Sequence, residues 1–406
     1  MKQKIKIALT VFFFFQFFAV AAQNNQTSFK LLSWNIEWFG SPANGPQDLG
    51  LQETNVVKVL KQINADIMGF CEVVDTFRFR RVCDSLGSGY NFKIADFCSN
   101  NTTGTGNGWL TGQKLGFIYK KSLVSNVSFR GFMRSSSSAY TNFSSGRFPY
   151  LMNADVTLNG ITKNINFFLI HGKAEGSPCA ASDYNKKYAA AKEMKDSLDL
   201  ELPNALSVIV GDYNDDLKQT ISTCAGSTLS SYDPIIKDSA NYKSITLPLS
   251  RAGLATMINY PNVIDNHIAS TALYNFYIAN SVHIASDVTA TIPNYAGNNT
   301  SDHYPVYSIF SYTGIVTAIP TVDASDFSVR IYPNPVSAIA SVYFGKTQQS
   351  ITIELATITG NKYWTKSFST IYSGETIQIP MNDLPHGMYV VKIRDNKKQT
   401  VIKLIK

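Results

Sequence analysis

Residues 208–215 read VIVGDYND, an apolar run that stops abruptly at Asp212 and Asn214. Val and Ile suit a pleated, buried strand. A carboxylate at the end of such a run is costly unless it is paired or bound to a cation. One such residue is ordinarily a satisfied core group. The pattern recurs, however, in LLSWNIEW (31–38, with Asn35 and Glu37), DIMGFCEV (66–73, with Glu72) and FFLIHGKA (167–174, with His171). NVIDNHIAS (262–270) adds Asp265, and SDHYPV (301–306) adds Asp302 and His303. Six polar strand ends of this kind are hard to ascribe to chance and point to one shared site.

Working outward from these segments, strand-like runs cover 29–38, 67–73, 115–119, 150–158, 165–171, 207–211, 263–269 and 304–310. Each is rich in Val, Ile, Phe or Tyr and bounded by turn residues. Helical spacing marks 53–63 and 183–200; in the second, Tyr184, Tyr188, Ala191, Met194 and Leu198 share a face. Many strands with few helices over 28–315 predict two stacked sheets with helices outside. Polar loops at 99–113 and 135–146 cannot pack a core and are candidate substrate contacts.

Carboxylate, amide and imidazole groups suit phosphodiester cleavage. A phosphate ester is anionic and repels a hydroxide nucleophile; a hard divalent cation held by oxygen ligands offsets that charge. A histidine oriented by a carboxylate can deprotonate the attacking water, while Asn and a second His stabilise the developing charge.

Those six segments, in that order, resemble the endonuclease/exonuclease/phosphatase superfamily, of which deoxyribonuclease I is a member; the resemblance spans about 30–312. It implies an α/β fold: a four-layer sandwich of two packed mixed β-sheets flanked by helices. It also implies a divalent metal, magnesium first and manganese or calcium as substitutes. Asn35 and Glu72 would hold the metal, with Asp302 beside them and Glu37 as a further acid. Asp212 and Asn214 would position nucleophile and phosphate. Asp265 would orient His303, the general base, and His171 would contact the scissile phosphate. Arg147, in GRFPY, resembles a family arginine that supports phosphate binding. Two positions depart from the family pattern. Asn266 follows Asp265 where histidine is usual, and 110–120 offers Lys114 but no acid to partner His171. His171 would then act through hydrogen bonding or charge. His267, His283 and His386 lack clustered partners and read as core or surface residues.

The two ends of the chain carry export signals. Lys2, Lys4 and Lys6 precede an apolar run, and Ala19, Ala21 and Ala22 form a small-residue cleavage region, so 1–22 reads as a signal peptide. No later stretch has the length and apolarity of a membrane span. Export permits disulfides among the five cysteines; Cys83–Cys98 and Cys179–Cys224 are the preferred pairs. Cys71, inside an apolar run, reads as a buried thiol. A linker at 316–326 leads to short alternating runs in 327–406, a small all-β sandwich. IYPNP (331–335), ITGN (358–361), LPHGMYVVKI (384–393) and the final KLIK resemble the type IX secretion sorting domain of Bacteroidetes proteins. That resemblance implies the outer-membrane secretion machinery as a partner, and a secreted or surface-attached product.

Bulk charge names no substrate. The formal net charge is +7, yet 23–320 carries 23 basic and 23 acidic residues, so the central region is neutral. Arg78, Arg80 and Arg81 follow Glu72, and Arg130, Arg134 and Arg147 lie further on. These favour a nuclease; the expectation is a secreted monomer acting on DNA before RNA. The alternatives are a phosphodiesterase or phosphatase of lipid head groups or small phosphate esters, and a silent binding protein, against which the intact residue set argues.

Overall fold

The computed structural model describes residues 26–295, 299–312, 327–357, 361–395 and 398–406. The expected signal peptide (1–22) and linker (316–326) lie outside them. The chain divides into two compact units, Met1–Gly314 and Ile315–Lys406.

Elements of the first unit begin with β1 (Phe29–Phe39), α1 (Leu49–Ile63), β2 (Ile67–Val73), α2 (Thr76–Leu86) and β3 (Tyr90–Ile94). There follow α3 (Gly106–Thr111), β4 (Lys114–Lys120), β5 (Val124–Gly131), α4 (Ser137–Asn142), β6 (Tyr150–Leu158) and β7 (Ile161–His171). Next come α5 (Ala181–Glu201), β8 (Ser207–Asp212), β9 (Tyr242–Ser244), β10 (Asp265–Ser270), β11 (His283–Ile284) and β12 (Val306–Phe310), with short helical turns between. One six-stranded sheet runs β11-β12-β1-β2-β4-β3 and the other β5-β6-β7-β8-β10-β9. Both are mixed: β1 with β2 and β7 with β8 are parallel, and their other pairings are antiparallel. This is the four-layer α/β sandwich that the resemblance implies.

Alternation along β1 builds the layers. Phe29 and Leu31 enter the core between the sheets with Phe167, Leu169 and Val210. Leu32, Trp34 and Ile36, on the other face, pack with Val56, Val59, Phe79 and Val82 from α1 and α2. Each fully buried Leu or Phe contributes roughly 1.5–3 kcal/mol of transfer free energy. Helix α1 starts at Leu49, ahead of the expected 53, because the Asp48 carboxylate accepts from Leu51 N at 2.9 Å. Asp75 caps α2 the same way, and Phe79, Val82 and Cys83 bury its inner face.

Strand polarity decides where function can sit. β1, β2, β7 and β8 all finish at one end of the sandwich, where β10 and β12 begin. Four connections at the opposite end are tight: 64–66, 87–89, 121–123 and 159–160. The connections 40–48, 95–113, 132–149 and 245–264 lie at the first end, and 271–282 lies at the other. A rigid scaffold therefore carries most of its long loops on the rim where the polar strand ends lie.

A disulfide joins Cys179 to Cys224, linking the loop after β7 to the loop after β8. The expected Cys83–Cys98 pair does not form. Both are buried free thiols, Cys83 on the inner face of α2 and Cys98 beyond β3. Cys71 is buried as expected.

The second unit holds β13 (Val329–Tyr332), β14 (Ile339–Phe344), β15 (Gln348–Thr357), β16 (Lys362–Ile371), β17 (Thr376–Pro380), β18 (Met388–Arg394) and β19 (Gln399–Ile405). They form an antiparallel sheet β13-β14-β17 and a second, β16-β15-β18-β19. Val342, Phe344, Ile353, Leu355, Val391 and Ile393 share its core. Among the described residues no helix is long and apolar enough to cross a membrane.

Candidate active site

Strand pairing sets the site. Asn35 on β1 lies beside Cys71, next to Glu72 on β2; His171 on β7 lies directly beside Asp212 on β8. Asp265 opens β10 opposite Asp212. These side chains meet across the two sheets. Asn35 Nδ2 donates to Glu72 Oε1 at 3.2 Å and to Asp212 Oδ2 at 3.0 Å. His171 Nε2 stands 3.6 Å from Glu72 Oε1 and 3.5 Å from Asp212 Oδ2. Asn214 donates its backbone N–H to Asp212 Oδ1 at 2.8 Å and its amide to Oδ2 at 3.1 Å. His303 Nδ1 lies 2.7 Å from Asp265 Oδ2, and its Nε2 is 3.9 Å from Asp302 Oδ1.

Local backbone is bent to present them. Pairing between β1 and β2 shifts register after Asn35, and β2 shifts against β4 after Phe70. Glu72 has φ 66°, Glu37 42° and Asn214 50°. The left-handed region costs a non-glycine residue on the order of 1 kcal/mol or more, so packing and hydrogen bonds must hold it there. Trp38 N donates to Glu72 Oε2 at 2.8 Å, and Glu37 N to Asn35 Oδ1 at 3.0 Å. Before Asp212, Gly211 has φ 127°, and an added Cβ would stand 2.1 Å from Ile170 O. Only glycine lets β7 and β8 close there.

Burial dominates the electrostatics. It raises the Glu37 carboxyl to about 7, helped by Asp302 and Glu72. It raises Asp212 to about 6 and lifts Glu72 as well. Burial also opposes a charge on His303, but the Asp265 charge and hydrogen bond, with Asp212 and Asp302, outweigh it and hold its pKa well above 6.5. His171 goes the other way. Burial, then Arg147 and His303, push it well below 6.5 despite the carboxylates beside it, so it is neutral.

No three His, Cys, Asp or Glu side chains among the described residues close into a ready-made metal cluster. Magnesium does not require one: it takes one or two carboxylates and keeps several waters. The donor set is oxygen-rich. Glu37 Oε2 is buried without a hydrogen-bond partner, and burial makes the Glu37 and Glu72 carboxyls resist ionisation. Such a pair fits a hard cation.

Arg147 is placed differently from an open anion receptor. It is buried, its Nε and Nη2 donate to His171 O at 3.0 Å and Gly172 O at 2.9 Å, and Nη1 donates to Gln113 Oε1 at 3.0 Å. It brackets the backbone behind His171. Lys114 donates to Trp109 O and Gly112 O, away from His171. The other arginines that the sequence singled out are paired too, Arg80 loosely with Asp84 at 4.0 Å. Arg78 and Arg81 reach Glu53 at 2.8 and 2.7 Å, Arg130 reaches Glu201 at 3.1 Å and Arg134 reaches Asp96 at 3.0 Å.

A supporting layer was not legible in the sequence. Ser301 Oγ donates to Asn35 O at 2.6 Å and accepts from His303 N at 3.0 Å. Trp34 Nε1 and Tyr295 OH donate to His303 O at 2.9 and 2.7 Å. Lys187, buried on α5, holds Asn214 O at 2.7 Å and Glu175 Oε1 at 2.8 Å. Ser301 does sit inside SDHYPV; nothing in the sequence singles out Lys187 from the other lysines of α5.

Solved structures share this fold. An endonuclease/exonuclease/phosphatase from Beutenbergia cavernae DSM 12333 superposes with TM-score 0.50 at 14% identity, covering 93% of this chain and 100% of that one. A protein of the same description from Bacteroides vulgatus gives 0.47 at 14%, covering 70% and 99%. The human nocturnin catalytic domain with bound sulfate gives 0.45 at 13%, covering 71% and 96%. Residues 330–406 match the family model of the secretion system C-terminal sorting domain. No curated protein matches the chain.

Proposed function

We propose that the first unit is a divalent-metal-dependent phosphoester hydrolase. The leading substrate is a nucleic-acid phosphodiester, DNA before RNA. The C-terminal unit is a secretion sorting domain, which indicates export. One observation supports the hydrolase reading most: the hydrogen-bonded Asp265–His303 pair shares one buried constellation with the carboxylate Glu72 and with Asn35, His171, Asp212 and Asn214.

Each residue then has a task. Asp265 accepts from His303 Nδ1 and so orients the ring; in the neutral ring, formed above its raised pKa, Nε2 is free to take a proton from the attacking water. Asp212 and the Asn214 amide orient that water and a non-bridging phosphate oxygen. His171, being neutral, contributes a hydrogen bond rather than a charge. Asn35, Glu72 and Asp302, with Glu37 nearby, would hold magnesium, manganese or calcium. When bound, the cation supplies charge that offsets the phosphate and lowers the proton affinity of its neighbours.

A second substrate reading rests on the arginines. All six counted towards a polyanion have partners within the protein, backbone carbonyls and Gln113 for Arg147 and carboxylates for the others, with Arg80 the most loosely held at 4.0 Å from Asp84. That favours a small or lipid-borne phosphate ester. Plasmid DNA, RNA, a sphingomyelin vesicle and a soluble phosphate monoester should be incubated in parallel with magnesium and with chelator. Metal-dependent cleavage of a nucleic acid supports the nuclease reading; cleavage of only the esters transfers the proposal to the second. Turnover undiminished by chelator overturns the metal reading, and no cleavage of any substrate overturns the hydrolase reading.

A further inference from the structure

His267 is the one fully buried histidine that this chemistry does not use. It sits on β10 two residues beyond Asp265, so the two side chains share a face, one pleat apart, about 7 Å. Its ring crosses the apolar core between the sheets. Nε2 lies 3.0 Å from Ser33 Oγ on β1, and Nδ1 lies 2.9 Å from Ser308 Oγ on β12. Ser33 is two residues before Asn35, and Ser308 is five after His303. All three residues are fully buried.

We infer that His267 is a positioning residue: by hydrogen-bonding Ser33 and Ser308 it fixes the height of β10 against β1 and β12, and so holds Asp265 in register with His303. The catalytic set is split between sheets. Asp265, Asp212 and His171 belong to one, Asn35 and Glu72 to the other, and His303 lies in the segment leading into β12 of that second sheet. Apolar contacts between sheets are non-directional and tolerate a small slide. Two hydrogen bonds to a rigid ring do not, because they weaken steeply with distance and angle. A slide of one ångström in a reacting constellation can cost about a hundredfold in rate. The ring is neutral in this setting, since burial lowers it to about 3, so it is a fixed donor–acceptor pair and not a switch.

The inference rests on the hydrolase reading for its kinetic test only. His267→Leu leaves two buried hydroxyls without their partner and will lower the melting temperature for that reason alone. The deciding variant is therefore the triple Ser33→Ala/His267→Leu/Ser308→Ala in the full chain, which removes every partner together. If His267 positions the site, the triple regains the melting temperature lost by the single variant. Its kcat nevertheless stays between about tenfold and a hundredfold down with KM little changed. His267→Gln, which keeps a donor and an acceptor, recovers part of kcat. An activity-free readout accompanies these: the low-field proton resonance of His303 Nδ1–H bonded to Asp265 broadens or shifts in the triple variant. A triple variant with wild-type kcat and an unmoved resonance overturns the inference. Should the wild-type protein cleave no phosphoester, the hydrolase reading falls, and the resonance alone decides the role of His267.

Discussion

His303 Nδ1 and Asp265 Oδ2 stand 2.7 Å apart although the residues lie 38 positions apart, Asp265 at the start of β10 and His303 in the segment leading into β12 of the other sheet. Both side chains are buried, and Trp34 and Tyr295 hold the His303 backbone from behind. A pair fixed so tightly should act as a unit. Asp265→Asn is expected to keep the fold and magnesium binding while lowering kcat by about 10²–10⁴-fold. His303→Ala should match it, and the double variant should be little worse than either. Melting temperature and turnover are measured on the same three proteins. Multiplicative losses would show that the two residues act independently, and a loss of stability with unchanged specific activity would reduce Asp265 to a structural cap.

Glu72 should act through the cation. It is the carboxylate that Asn35 and the Trp38 N–H orient towards the gap. Glu72→Gln keeps the shape and removes the charge. Magnesium affinity, read by titration calorimetry, should fall about tenfold or more, roughly 1.4 kcal/mol. High magnesium should restore part of the rate. A variant with unchanged affinity and unrescued turnover would assign Glu72 a different task.

Gly211 tests the backbone argument. Its φ of 127° disfavours any side chain, and the added methyl would meet Ile170 O at 2.1 Å. Gly211→Ala combines strain with overpacking and should cost roughly 2–5 kcal/mol. Urea unfolding checks this, with Gly253→Ala as the control, because nothing lies within 4 Å of a Cβ there although its φ is also positive. Equal losses in both variants would show that φ alone matters and that the β7–β8 approach does not.

The arginines of α2 separate substrate binding from stability. Hydrogen bonds from Arg81 hold Glu53 below its usual range; burial opposes them, and Arg78 adds to the lowering. A depressed carboxyl contributes stability that is fully present above pH 4.5 and fades as the pH falls through the folded value. Arg78→Ala/Arg81→Ala should lose stability at pH 7 and lose little near pH 2. Its KM for a nucleic acid should be unchanged if the pairing with Glu53 is their whole role. A rise in KM that steepens with salt would return these arginines to the substrate.

Much of the architecture was legible because strand cores write themselves as apolar runs. Strands 67–73 and 150–158 have the expected limits, and β1, β4, β7, β8 and β12 differ by a few residues at their ends. Less visible were β3 and β5, whose outward faces are polar, and α2, whose three arginines mask the Phe79–Val82–Cys83 stripe. Nine of the ten candidate site residues gave themselves away as polar groups at strand ends, a place where an unpaired polar group is costly. Arg147 illustrates the limit. Its sequence context cannot say whether a guanidinium faces a ligand or its own backbone, since both uses need the same buried charge. Cys83 and Cys98 show it again, because spacing carries no information on which faces two thiols occupy.

The C-terminal unit supplies the last test. Residues 327–406 build two sheets around their own core of Phe327, Val342, Phe344, Leu355 and Ile393. The chain divides between Gly314 and Ile315, and the sorting-domain match begins at 330, inside the second unit. A domain with its own core can fold alone. Truncation after Gly314, produced with a different export signal, should therefore leave a folded protein with wild-type kcat/KM. In the native cell the same truncation should stop export at the periplasm, where cell fractionation would find active protein. An unfolded or inactive truncation product would mean that the second unit completes the core or site of the first. Active protein outside the cell despite the truncation would remove the sorting role from this tail.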